Sequence, residues 1–108
     1  HEPHVVVGTP GRVLELLQQQ ALPLQAVRVL VLDEADRMLD MGFTADLNSI
    51  VAALPVARQT LLFSATISDA IRGISRRLQR EPRDVSVEDT GAQPQIAQWF
   101  YEVDDARK

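Results

Sequence analysis

The chain has 108 residues, a formal net charge of -4, no cysteine and 45% hydrophobic residues, the composition of soluble globular sequences and of no more than one small domain. Without cysteine, a disulfide framework and any thiolate zinc site are excluded, and the usage is compatible with a reducing compartment, so a cytoplasmic location is expected. No apolar stretch approaches the roughly 20 residues that span a bilayer, His1-Glu2-Pro3-His4 is not a signal peptide, and no membrane partner is expected.

In chain order, His4 to Gly8 (HVVVG) reads as a buried strand. Thr9-Pro10-Gly11-Arg12 follows, where threonine suits a helix N-cap and proline the first helical position, and Val13, Leu14 and Leu17 continue at helical spacing. Arg28 to Asp33 (RVLVLD) is a second buried strand, followed by a short helix over Ala35 to Asp40 that stops at Gly42. Phe43, Leu47, Ile50, Val51 and Leu54 then form one apolar stripe before Pro55. Gln59 to Ser64 (QTLLFS) is the third strand. After it Ser68 suits an N-cap, and Ile71, Ile74 and Leu78 form the buried face of a helix running up to Pro82.

The three strands are continuous rather than alternating apolar runs, the pattern of a parallel sheet covered on both faces. Strands alternating with helices predict an α/β layer fold with right-handed crossovers. Three strands are few for such a sheet, which points to a cut piece. Beyond Pro82, Val85 to Val87 reads as a short strand, Asp89 to Pro94 as a turn, and Ile96 to Val103 as extended strand or linker. Charge is unevenly placed: the only lysine is Lys108, five arginines fall between Arg72 and Arg83, and Asp84 to Asp105 carries acids with no base. The acidic total is weak grounds against a phosphate-bearing partner, which backbone amides and a few arginines suffice to hold.

Ligands of open parallel sheets bind beyond the carboxyl ends of the strands, and all three strands here end in polar residues. Val29-Leu30-Val31-Leu32 runs into Asp33-Glu34-Ala35-Asp36. That has the shape of a Walker B motif, with Asp33 placed to serve a cation carried by a nucleotide and Glu34 to deprotonate an attacking water. Alternatively, four acidic and small residues merely begin a helix, whose first turn favours carboxylates. Gly8-Thr9-Pro10-Gly11-Arg12 offers free amides, a hydroxyl and a guanidinium suited to phosphate, or an ordinary capped turn. The hydroxyls of Ser64-Ala65-Thr66 either bond the Asp33 to Asp36 group or open the next turn.

Thr9-Pro10-Gly11-Arg12, then Val31 to Phe43 (VLDEADRMLDMGF), then Gln59 to Thr66 (QTLLFSAT) together resemble the DEAD-box RNA helicases over nearly the whole chain, and within them the bacterial RhlE and DbpA types. The resemblance implies a partial RecA-like fold of the P-loop NTPase type. Residues 1–83 would be the C-terminal half of the first, ATP-binding domain, and 84–108 its end and the start of the interdomain linker. It implies ATP and Mg2+ as cofactors, with Asp33 serving the metal, Glu34 activating the hydrolytic water and Asp36 coupling the nucleotide to interdomain contacts. Ser64 and Thr66 would link hydrolysis to unwinding, and Thr9, Gly11 and Arg12 would contact the RNA backbone. RNA, ATP and the second RecA-like domain are the implied partners.

The family's phosphate-cradling Gly-x-x-x-x-Gly-Lys-Ser/Thr loop has no counterpart in this sequence. The parent is therefore expected to be an ATP-dependent RNA helicase and the isolated chain to be inactive. The edge of the 59–64 strand, apolar and uncharged, is expected to support self-association. The alternative reading is a truncated, non-catalytic RNA- or protein-binding module. A third, an unrelated Mg-dependent phosphotransfer domain using Asp33, Glu34 and Asp36, would need neither Thr9 to Arg12 nor Ser64 to Thr66.

Overall fold

The computed structural model describes residues 3–87, in two units: Gly8–Pro82 and, separately, residues 3–7 with 83–87. The first unit holds α1 (Pro10–Gln18), β1 (Val29–Leu32), α2 (Ala35–Asp40), α3 (Thr44–Ala52), β2 (Gln59–Leu62) and α4 (Asp69–Leu78). In the second unit the described residues, 3–7 and 83–87, form neither helix nor strand. The linker residues beyond 87, with the expected turn at Asp89 to Pro94 and strand at Ile96 to Val103, lie outside the described residues.

β1 and β2 pair in parallel, with Val29 opposite Gln59 and Leu32 opposite Leu62. The ladder runs from Gln59 N–H to Arg28 O (2.8 Å) to Phe63 N–H to Leu32 O (2.8 Å), and Ala35 N–H returns a bond to Phe63 O (2.9 Å). A parallel pair needs a crossover connection, and α2 and α3 supply it. Two expectations are corrected here. The described sheet has two strands rather than three, because no described residue pairs with His4 to Gly8, and a strand exists only through its hydrogen-bonded neighbour. Val5 and Val7 are exposed, and Val85 to Val87 is likewise not a strand. Among the described residues the sheet is covered on one face: Leu32 is buried, whereas Val29 and Val31, on the opposite face, are half exposed.

The helices begin where the sequence placed them. Thr9 is extended and its carbonyl accepts from Val13 N–H at 3.0 Å, with Pro10 opening α1. A Cβ at Gly8 would stand 2.8 Å from Val13 Cγ2, so the tight entry into α1 requires glycine. Gly42, at φ +79, turns the chain between α2 and α3. The Ser68 hydroxyl caps α4 by accepting from Ile71 N–H at 3.2 Å. α4 ends at Leu78 rather than continuing to Pro82, since Gln79 is already extended.

α1 packs on α3, and the core consists of Leu24, Leu32, Ala35, Leu47, Ile50, Leu54, Ile71 and Ile74. No polar residue is buried among the described residues. Half-buried Arg58 ties this core together at its edge. Its guanidinium donates to Thr60 Oγ1 (3.0 Å), Pro55 O (3.0 Å) and Leu78 O (3.3 Å), while Gln79 Nε2 donates to Thr60 O at 2.9 Å. These bonds fasten the end of α4 to the start of β2. Gly73 sits inside α4, where glycine is about 1 kcal/mol less favourable than alanine, although a Cβ there would meet no atom within 4 Å.

Gln59 and Phe63 turn their backbone groups toward β1, so those of Thr60 and Leu62 face outward. Gln79 occupies one of these, the Thr60 carbonyl, and no described strand pairs with the rest of that edge. The isolated chain should therefore self-associate through β2, giving concentration-dependent dimers in sedimentation and slower amide exchange at Leu62 as concentration rises. A monodisperse monomer with Leu61 to Phe63 strongly protected at every concentration would refute this.

Candidate functional site

The register of the two strands carries their carboxyl ends to the same place, so Asp33 to Asp36 and Ser64 to Thr66 become neighbours. The join is a direct hydrogen bond: Thr66 Oγ1 donates to Asp36 Oδ2 at 3.1 Å. The two readings left open for the hydroxyls divide between them. Thr66 bonds the acidic group, and Ser64 shapes its own turn by donating to Thr66 O at 2.7 Å.

Asp33 is exposed, and its Oδ1 accepts from Glu34 N–H at 2.9 Å. No described partner engages Oδ2, which leaves a carboxylate oxygen free for a ligand. Glu34 adopts φ +54, ψ +49, the left-handed region, as it leads into α2. For a residue other than glycine this conformation costs about 1 kcal/mol or more, and it is held by flanking bonds: Asp33 takes the Glu34 N–H and Phe63 O takes the Ala35 N–H. The strain turns the chain sharply after the strand and leaves the Glu34 side chain in solvent.

Asp36 is half buried. Its desolvation raises the carboxyl pKa, but the Thr66 hydroxyl, the N–H groups of Arg37 and of Asp36 itself, and least of all the Ser64 hydroxyl outweigh that and hold Asp36 below its ordinary value. A depressed carboxylate stabilises the fold above its unfolded pKa, and that contribution is lost as pH falls through the folded value. Asp36 is therefore ionised at neutral pH and fixed in place.

Glu34, Asp36, Arg37, Asp40 and Ala65 line an open depression of about 250 Å³. Arg37 and Asp40 were not singled out from the sequence, though the helical spacing of Arg37 from Glu34 and of Asp40 from Asp36 puts them on shared faces. Arg37 Nη1 lies 3.7 Å from Glu34 Oε2, both exposed. No three described His, Cys, Asp or Glu side chains converge on a metal site. Asp33 with its free oxygen fits a cation that brings its remaining ligands with it, as magnesium does with phosphate and water.

Thr9, Gly11 and Arg12 form a separate cluster at the start of α1, with no hydrogen bond or ion pair to the acidic group among the described residues. The Thr9 hydroxyl does not cap the helix. Nothing lies within 4 Å of a Cβ added at Gly11. Arg12 pairs with Glu15 at 3.1 Å, with both side chains more than half exposed.

A family model for DEAD/DEAH box helicases matches residues 1–74. The chain is 51% identical over 102 residues to the ATP-dependent RNA helicase DbpA of Escherichia coli K12, covering 94% of this chain and 22% of that protein. It is 47% identical over 107 residues to the DEAD-box ATP-dependent RNA helicase CshA of Geobacillus kaustophilus, covering 98% and 23%. A solved structure of a variant of S. cerevisiae Dbp5, bound to a Gle1 variant and IP6, superposes with a TM-score of 0.73 at 38% identity. That superposition covers 79% of this chain and 22% of the other. The chain thus spans about a fifth of the length of these relatives.

Because the Thr66 hydroxyl is the largest of the influences lowering the Asp36 pKa, Thr66→Val should move the carboxyl titration of Asp36 upward, toward that of an ordinary aspartate. Carbon-detected NMR of the side-chain carboxyl checks this, and an unchanged midpoint would show that the bond is not formed in solution.

Proposed function

Since the chain belongs to the DEAD/DEAH box helicase family, we propose that it is a segment of the ATP-binding domain of an RNA helicase. In that protein, ATP hydrolysis would drive local separation of RNA strands in a cytoplasmic setting compatible with a sequence free of cysteine. The observation that carries the reading is the Thr66 to Asp36 hydrogen bond. It fastens the end of β2 to the acidic group that follows β1, so a change at one strand end is felt at the other.

The roles follow from the environments. Asp33 offers its free oxygen to the metal of a bound nucleotide; magnesium there would neutralise charge across the β and γ phosphates. Glu34 points into solvent on a strained turn and accepts the proton of the attacking water. Arg37, exposed and 3.7 Å from Glu34, adds a positive charge beside that carboxylate. Asp36 stays ionised and presents a fixed acceptor to the second RecA-like domain. Thr9, Gly11 and Arg12 hold the RNA sugar-phosphate backbone. The exposed pair of Arg12 with Glu15 is worth little in water, so its exchange for a phosphate costs little. Contacts of this kind carry no base information, as a general RNA-remodelling enzyme requires.

In the full-length protein, Glu34→Gln should reduce hydrolysis by about two or more orders of magnitude while nucleotide affinity stays near that of the parent, because the amide keeps the shape and loses the basicity. Asp33→Asn should instead weaken the magnesium-dependent part of nucleotide binding. Steady-state hydrolysis and titration with a fluorescent ATP analogue separate the two, and equal, mild effects of both substitutions would contradict this division of roles. Arg12→Ala should weaken binding of unrelated RNA sequences about equally and flatten its salt dependence. A loss confined to one sequence would mean base readout instead.

A further inference from the structure

The arginines of α4 take no part in the site described above. Ile71 and Ile74 face the core, and at 100° per residue Arg72 and Arg76 stand on the opposite side, one helical turn apart. Both are exposed, and neither forms an ion pair among the described residues, although Asp69 lies one turn before Arg72. Arg77, beside them, reaches only the Asn48 amide, at 3.3 Å. Two bases in the last turn favour the helix dipole. That accounts for Arg76 and Arg77 but not for Arg72.

Gly73 supplies an independent observation. It lies next to this stripe, an added Cβ would meet nothing within 4 Å, and its φ is not positive. Among the described residues neither packing nor backbone geometry requires glycine there, at a position where alanine would make a better helix. What a missing Cβ provides is room for another molecule to approach the helix backbone. α1 shows the same pairing, with open space above Gly11 and Arg12 beside it.

We infer that the face of α4 formed by exposed Arg72 and Arg76, with half-buried Gly73 beside them, is a second docking surface for RNA backbone, separate in its residues from Thr9, Gly11 and Arg12. This rests on the proposed reading of the chain as part of an RNA helicase. Two guanidiniums one turn apart can each take a phosphate of the same strand, and the bare backbone beside them at Gly73 admits the sugar. A strand long enough to leave the first site would be held there without regard to sequence.

The test uses the full-length protein, a short oligouridylate that fills only the first site, and a long one. Arg72→Ala/Arg76→Ala should weaken the long RNA by about tenfold and make its salt dependence shallower by about 1.4 in log–log slope, the loss of two phosphate contacts on a single strand. Affinity for the short RNA, and hydrolysis stimulated by it, should stay at parental values. Gly73→Ala should raise the unfolding midpoint by about 2 °C and still weaken the long RNA, an opposition that general destabilisation does not produce. Unchanged affinity and slope for the long RNA in both variants would overturn the inference. So would poly-L-glutamate competing for this face as well as RNA does, which would assign it to an acidic protein. Failure of the parental protein to hydrolyse ATP with the short RNA would instead overturn the proposed function.

Discussion

The meeting of the acidic group after β1 with the hydroxyls after β2 depends on the parallel register that sets Leu32 beside Leu62. Parallel strands point their carboxyl ends the same way, so residues far apart in sequence, Asp36 and Thr66, arrive within a hydrogen bond of each other. The bond from Ala35 N–H to Phe63 O extends the ladder past the last strand residue and into the first turn of α2. A slip of one residue would turn Leu32 to the solvent face and carry Thr66 away from Asp36. Burial of Leu32 and Ala35 therefore holds the site together as well as the core.

Much of this was legible in the sequence because it rests on local chemistry. The start of α1 at Pro10, the cap at Ser68, the stop at Gly42 and the apolar stripe of α3 depend on a few neighbouring residues, and they fall where their spacing placed them, although the Thr9 hydroxyl makes no cap bond. The positions of Asp33 and Glu34 after a β-strand were equally readable. Four features were not. The apolar run at His4 to Gly8 looks like a strand, yet strand identity depends on a partner that the run itself does not encode. The exposure of Val29 and Val31 opposite buried Leu32 depends on which layers pack on the sheet. The Arg58 and Gln79 contacts join segments whose proximity appears only once β2 and α4 are assembled. The left-handed turn at Glu34 also left no mark, since glutamate does not advertise a positive φ.

Among the described residues the core is wholly apolar, and the polar contacts that join separate elements of the sheet region lie at the strand ends and at the edge of β2. That division suits a scaffold whose ligands come from outside. Asp33 and Glu34 are exposed, Asp36 is locked in its ionised form, and the arginines at 12, 72 and 76 sit on helix surfaces. The chain spans about a fifth of its relatives' length. On the proposed reading, the remainder supplies the phosphate cradle and the second domain that turn this arrangement into an enzyme.

The central claim is that the hydrogen bond between Thr66 and Asp36 transmits the state of the nucleotide site to the RNA-remodelling step. Measuring ATP hydrolysis and strand separation side by side in the full-length protein, parental and Thr66→Val, tests this most directly. The account predicts that RNA-stimulated hydrolysis stays near the parental rate while strand separation falls by about tenfold or more, the size expected when an interaction used only in the coupled step is removed. Equal losses of both activities, or full retention of strand separation, would contradict it.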